Sequence, residues 1–415
     1  MNKKELTEKF IRACQNGEME EIKGILNLNI IDINKSIKYD EQKCKATGLH
    51  IACNKKNLDL IKYLIENGAN INALDEINCT PLHYIVDMGK NNKIEIIRYL
   101  IEKRANLEAK DADGRTPLYT ACSIDDDEVI KELIENGADI QTENINKRRI
   151  IHQISFLKED KDDLVKYLIN KGLKTNILDS DGYNPLSMST YNRKEKITKI
   201  LIEDGVDINV KSIKGEPILH RICANGELEN LKLLVEKKID LEIENQNKAN
   251  VLHLACIYGH EEMMKYLVKE GINIHKKDKN KNNILHMATM GNDIEAIKYV
   301  IDLGININEK NNKNKTPLHI ACLNTNIKAI EYMIEKGADI NMKDQEENNI
   351  LHIAMYGRDI EVIKYIINLG ISTKEKNQEN QTPLDIGKLN ENEQIKKYVE
   401  TLEQYQNLNE ELEKK

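Results

Sequence analysis

The chain has 415 residues, no tryptophan, two phenylalanines and a formal net charge of −8 at pH 7. That balance gives no global attraction to nucleic acid or anionic lipid, and so few large aromatics argue against one large aromatic core. The opening MNKKELTEKF holds no apolar leader core, and no stretch approaches the roughly 18 apolar residues of a membrane span, so neither secretion nor membrane insertion is expected.

The first unit, Leu6 to Asn34, has a helical rhythm without the motif that dominates the rest. From residue 47 onward a short core of the type TPLH or NILH returns in phase. The residue after its "PL" or "IL" pair falls at His50, His83, Tyr119, His152, Ser187, His220, His253, His286, His319, His352 and Asp385. Successive gaps are 33 residues except for one of 36 and one of 35. Short polar insertions account for both, Gly89 to Lys93 and Leu157 to Asp163.

Each unit reads the same way, and Asp278 to Lys310 serves as the example. Asn283 is a helix N-cap, because its side chain accepts from an amide the first turn leaves unpaired. Thr takes that role at Thr47, Thr80, Thr116, Thr316 and Thr382. Proline follows at Pro81, Pro117, Pro317 and Pro383, in the first helical position, where its missing N–H is no loss. A short helix and a polar turn come next. A second helix follows, with Ile294, Ile297, Val300 and Ile301 spaced three or four apart. Gly304 is placed to end it as a left-handed cap, and ININEK runs out as an extended finger. A helix pair this small cannot bury its own apolar face, so neighbours must stack.

The segments TPLHIAC (Thr316 to Cys322) and EKGADIN (Glu335 to Asn341) resemble the ankyrin repeat. The resemblance runs from about residue 6 to 402 and implies about twelve repeats, the first and last acting as caps. The implied fold is mainly α: an ankyrin-repeat solenoid of stacked helix-turn-helix units with β-hairpin fingers. Residues 1–402 are expected to form a single continuous array, and residues 403–415 a charged tail. The family's finger glycine survives only as Gly114, Gly182 and Gly215. Elsewhere Lys, Asn or Glu stands there, at a cost of order 1 kcal/mol each in the left-handed region, which predicts looser fingers.

Eight of ten histidines share the phased position. Translation along a stack spreads identical residues into a row, whereas catalysis needs different residues converging on one point. The resemblance implies that these imidazoles bond backbone and tie neighbouring repeats. His-x-x-Cys recurs at His50/Cys53, His220/Cys223, His253/Cys256 and His319/Cys322. Packed helices lie about 8–10 Å apart, so parallel copies cannot bring four ligands within about 2.3 Å of one zinc ion. Six cysteines (Cys14, Cys53, Cys122, Cys223, Cys256 and Cys322) stand where the family has a small residue and are read as buried free thiols; Cys44 and Cys79 fall in fingers and are read as exposed. Free cysteines without a disulfide frame suit a reducing, cytoplasmic or nuclear compartment. Eight phased tyrosines in the second helices are read as packing. The acidic cluster Asp125, Asp126, Asp127, Glu159, Asp160, Asp162 and Asp163 is read as complementing helix dipoles, because calcium-loop spacing is missing. No phosphate loop, nucleophile elbow or metalloprotease motif occurs, so no enzyme, cofactor or metal is expected.

The resemblance places partner binding on the finger tips and the concave face of the first helices. The fourth and fifth positions after the phased residue face that side. Early repeats show Asn54, Lys55, Asp87, Met88, Ser123 and Ile124 there. Later ones show Phe156, Leu157, Tyr191, Ala224, Ile257, Tyr258, Met290, Leu323 and Tyr356, a nearly unbroken apolar and aromatic series. Finger lysines flank it: Lys277, Lys279, Lys310, Lys313, Lys315 and Lys343. The expected function is a non-enzymatic, monomeric scaffold holding an acidic, amphipathic protein segment. The alternative is an adaptor or effector that recruits a partner's activity, such as a ubiquitin-ligase substrate receptor.

Overall fold

The computed structural model describes residues 2–38, 45–89, 93–210 and 216–413. Among them, twenty-four helices follow one another in twelve consecutive pairs. They fall into two compact units, Met1–Ile213 and Lys214–Lys415. Each unit contains six pairs, numbered here as repeats one to six and seven to twelve.

Capping chemistry sets the helix lengths. In repeat nine the Asn283 side chain accepts from the His286 amide at 3.0 Å and opens the helix Ile284–Gly291. Asp293 accepts from the Ala296 amide at 2.9 Å and opens the second helix, Ile294–Asp302. Gly304 follows with φ +78°, the left-handed conformation expected of it. The second helix buries Ala296, Ile297 and Val300. Each buried aliphatic side chain contributes about 1.5–3 kcal/mol, and the pattern repeats in every pair. Repeat five has the shortest first helix. Arg149 offers no side-chain cap, and its first helix spans only Ile150–Ile154.

The phased histidines connect one repeat to the next. All eight are buried. In six of them, His50, His83, His152, His220, His286 and His352, Nε2 lies 2.9–3.2 Å from a carbonyl oxygen of the following finger. Except at His220, which follows Pro217 and leaves Nδ1 without a partner among the described residues, Nδ1 faces the helix's own cap, as at His50, where it sits 2.8 Å from the Thr47 hydroxyl. A donating Nε2–H and an accepting Nδ1 describe a neutral ring there, and burial lowers the pKa of all eight. Ser187, in repeat six, keeps its hydroxyl on the Asn184 carbonyl at 2.8 Å.

The fingers are tight turns. Asp278 is typical: its amide donates to the Asn282 carbonyl at 3.0 Å, and its carboxylate accepts from the amides of Asn280 and Asn282, both at 2.8 Å. One backbone bond around such a turn leaves no length for a ladder. The only two-stranded ladder among the described residues therefore pairs Ile37–Lys38 with Lys45–Ala46. Lys147, Lys248, Lys281 and Glu347 occupy the left-handed region at φ +54° to +59°, where the family glycine would stand. These fingers keep the same bonds between tips as those with glycine. Amides of one tip still bond carbonyls of the preceding tip, as from Asn312 to Asn280 at 2.8 Å and Gln345 to Lys313 at 2.9 Å. Gly215 lies outside the described residues.

On the outer face the phased tyrosines carry lysines over their rings. Tyr167 lies under Lys131 and Lys171 at 5.8 and 5.5 Å, and Tyr332 under Lys298 and Lys336 at 5.9 and 5.2 Å. The two polar insertions each deliver a lysine to the acidic triplet. Lys93 meets Asp126 at 2.9 Å with both side chains buried, and its ammonium also donates to the carbonyls of Val86 and Met88. Lys161 meets Asp125 at 3.2 Å and Asp127 at 3.4 Å. Asp160 caps the next second helix, accepting from the Lys196 amide at 2.8 Å. The last helix runs unbroken from Glu393 to Glu413, through the boundary drawn at 402.

Candidate partner-binding face

In the unit Lys214–Lys415, six first helices stand side by side, beginning at Ile218, Val251, Ile284, Pro317, Ile350 and Pro383. Their carboxy-terminal ends carry an exposed apolar row. Tyr258 is 56% exposed, Met290 38%, Leu323 45% and Tyr356 54%, with Ile257 half-buried beside Tyr258. Leu389, in the same phase of repeat twelve, is 76% exposed and extends the row by one repeat. The sequence reading stopped at repeat eleven, although the fourth position after Asp385 would have found it.

Two local features hold this row together. Gly291 brings its helix against its neighbour so closely that a Cβ there would lie 2.0 Å from the Ile257 carbonyl oxygen. Only glycine allows that approach, which sets Tyr258 and Met290 on adjoining backbones. Asparagines at the fifth position then tie successive helix ends. Asn324 donates to the Thr289 carbonyl at 3.0 Å, and Asn390 donates to Met355 and Gly357 carbonyls at 2.7 and 2.8 Å. Tyr258 also stacks on the His260 ring, centroid to centroid 6.2 Å. Side chains already ordered lose less entropy when a partner arrives.

The lysine rim is thinner than the sequence suggests. Lys279 and Lys313 are exposed. Lys277 pairs with Glu309 at 2.6 Å and Lys343 with Glu375 at 3.3 Å. Lys315 is half-buried, its ammonium 4.0 Å from the Asp344 carboxylate, and Lys310 donates to the Lys343 carbonyl at 3.3 Å. These contacts join adjacent fingers, and carboxylates neutralise three of the six expected charges, those of Lys277, Lys315 and Lys343.

In the unit Met1–Ile213 the exposed members are Phe156 at 46% and Tyr191 at 65%. The Arg148 guanidinium lies over the Phe156 ring at 5.5 Å. Leu157 is not on the surface. It is 7% exposed, because a turn closed by its amide on the Ile154 carbonyl at 3.1 Å ends the five-residue helix and directs the side chain inward. The corresponding positions of repeats two to four stay polar or half-buried, as the sequence indicated.

Among the described residues, no group of three or more His, Cys, Asp or Glu side chains is arranged to hold a metal ion. The six phased cysteines are buried, and burial raises their thiols; Cys14 is pushed up to about 12. Cys79, expected in the open, is half-buried with its thiol also pushed up to about 12, and Cys44 lies outside the described residues. No described helix is long and apolar enough to cross a membrane.

Comparison with known proteins agrees with the geometry. A family model described as ankyrin repeats in three copies matches residues 10–111, 49–144, 142–212, 205–278 and 252–344. A second, ankyrin repeats in many copies, matches residues 333–386. The chain is 31% identical over 90 residues to a palmitoyltransferase AKR1 of Kluyveromyces lactis, covering 21% of this chain and 12% of that protein. It is 33% identical over 81 residues to a probable 26S proteasome regulatory subunit p28 of Saccharomyces cerevisiae, covering 19% and 33%. It is 38% identical over 66 residues to a putative ankyrin repeat protein FPV230 of Fowlpox virus, covering 16% and 35%. The chain thus spans a third or so of these relatives at most, and the transferase likeness is confined to its repeats.

Proposed function

This chain belongs to the ankyrin-repeat family of protein-interaction modules, and on that premise we propose that it is a binding scaffold without catalysis of its own, holding a protein segment against the row Tyr258, Met290, Leu323, Tyr356 and Leu389. The observation that carries this reading is the row itself: five exposed apolar side chains at the carboxy-terminal ends of neighbouring helices, four at one phase and Tyr258 one position later, two of them aromatic. Contiguous apolar patches mark interaction sites, and aromatic residues dominate their binding energy. Lys279 and Lys313 at the finger tips favour a segment that is acidic as well as amphipathic.

The experiment identifies the partner by affinity purification with mass spectrometry and then measures affinity by calorimetry for two variants of equal folded stability. Tyr258→Ala with Tyr356→Ala should lose about 1–3 kcal/mol of binding per side chain. Asn54→Ala with Lys55→Ala should bind like the parent. The reverse outcome moves the site to the amino-terminal repeats and overturns the assignment.

A further inference from the structure

Repeat one departs from its neighbours. Its first helix, Lys3–Asn16, has fourteen residues where most have seven, and it overhangs the strand pair Ile37–Lys38 and Lys45–Ala46. Between them lies a groove of about 1100 Å³. Six cations line it: Lys3, Lys4, Arg12, Lys35, Lys38 and Lys45. Among the described lining residues two carboxylates, Glu8 and Asp32, accompany them, a surplus of four positive charges in a chain whose net charge is −8. Lys4 reaches Glu8 at 3.9 Å and Lys45 reaches Glu76 at 2.7 Å. Lys3, Arg12 and Lys35 have no ion-pair partner among the described residues, whereas Lys38 acts on the Glu76 carboxylate, whose pKa is lowered by Lys45 first and by Lys38 after it. Among the described residues no aromatic side chain lines the groove.

The other end of the same chain has the opposite character. Residues 398–415 contain five glutamates against two lysines, Lys414 and Lys415, and one of the glutamates, Glu403, is paired with Lys388 at 2.6 Å. The glutamates belong to the helix Glu393–Glu413. On that helix Tyr405, Leu408 and Leu412 are 63%, 54% and 62% exposed, spaced three and four residues apart on one face. Such a stripe on an acidic helix is an unpartnered amphipathic face.

We propose that the basic groove of repeat one binds the acidic, amphipathic end of the last helix of a second copy of this chain. Size agrees with charge. A helix about 10 Å across fills roughly 400 Å³ per turn, so the groove accommodates between two and three turns. Tyr405 to Leu412 occupies about two. The contact joins different surfaces, so it is head-to-tail and grows past a dimer as concentration rises. The single-chain state expected from the sequence then describes dilute solution. This surface is separate from the apolar row, and either assignment can fail without the other.

Sedimentation velocity on the full chain tests it, from low micromolar to submillimolar concentration. At low salt the weight-average sedimentation coefficient should climb with concentration and should not plateau at a dimer. At about 0.5 M salt, where screening acts over only a few ångströms, association should weaken at least tenfold. The groove variant Lys3→Glu/Lys38→Glu and the tail variant Glu410→Lys/Glu411→Lys should each stay monomeric with hydrogen-exchange protection unchanged outside the substituted segments. Mixing the two variants restores a complementary pair and should restore association. A wild-type chain that stays monomeric throughout overturns the proposal. So does association that survives in the groove variant, or a mixture that fails to associate. Compaction independent of concentration would place the tail on its own chain and overturn the second-copy occupant.

Discussion

Replacing His286 by alanine tests whether the phased histidine is structural. The ring is fully buried, with Nδ1 2.6 Å from the Asn283 side-chain oxygen and Nε2 3.0 Å from the Lys315 carbonyl oxygen. Truncation leaves that carbonyl buried without its donor, at about 1–3 kcal/mol. The void left by the imidazole adds a further amount of the order of 1 kcal/mol, so the total expected loss is about 2–4 kcal/mol. A stacked array does not unfold as one two-state unit, so a single melting temperature is a poor readout. Hydrogen exchange read by mass spectrometry localises the effect. Protection should fall first in the finger Asn311 to Lys315, whose tip loses its tie to repeat nine. His275→Ala, at an exposed finger position, is the control and should change stability by less than about 0.5 kcal/mol. If His286→Ala and His275→Ala behave alike, the histidine ties nothing and the interpretation of the whole row is wrong.

Three further outcomes are expected. Burial holds all eight phased histidines below their ordinary value of about 6.5, with His253 and His319 lowered to about 4. The unfolded chain therefore binds more protons in that window. The stabilisation is complete above about pH 6.5 and is lost as pH falls towards 4, on the order of 3 kcal/mol for each of those two residues. Circular-dichroism melts at pH 7 and about 5 should show the decline, and equal stability at both would refute it. Gly291→Ala should cost about 1–3 kcal/mol by forcing apart the helices that carry Tyr258 and Met290, seen as a lower denaturation midpoint; an unchanged midpoint would mean the close approach is not needed. Lys93→Ala should cost about 3–5 kcal/mol because it strands the buried Asp126 carboxylate, and Lys93→Ala with Asp126→Ala should recover much of that loss in the same titration.

Repeat phase, caps and the role of the histidines were legible in the sequence because they are local or strictly periodic. Thr316, Pro317 and His319 announce a helix start through their order alone, and a 33-residue recurrence announces stacking. Features that depend on register between repeats were not legible. Lys315 reads as a free cation until Asp344, one finger later, is placed 4.0 Å away. Leu157 reads as the next member of the row until the short helix of repeat five turns it inward. Gly291 reads as a weak helix residue until the Ile257 carbonyl is seen against it. The basic groove escaped notice for a related reason. Its cations come from a helix and a finger in the one repeat that lacks the phased motif, so no periodicity draws the eye to them.

Site-specific photocrosslinking most directly tests the central claim that the apolar row is where a partner protein docks. A photoreactive phenylalanine analogue is placed in turn at Tyr258, Leu323 and Tyr356, and at Glu331 and Lys364 on the second helices, in the full chain under native conditions. Adducts with one and the same partner polypeptide should form from the three row positions and not from the two outer ones. Adducts from Glu331 or Lys364, with none from the row, would contradict the account.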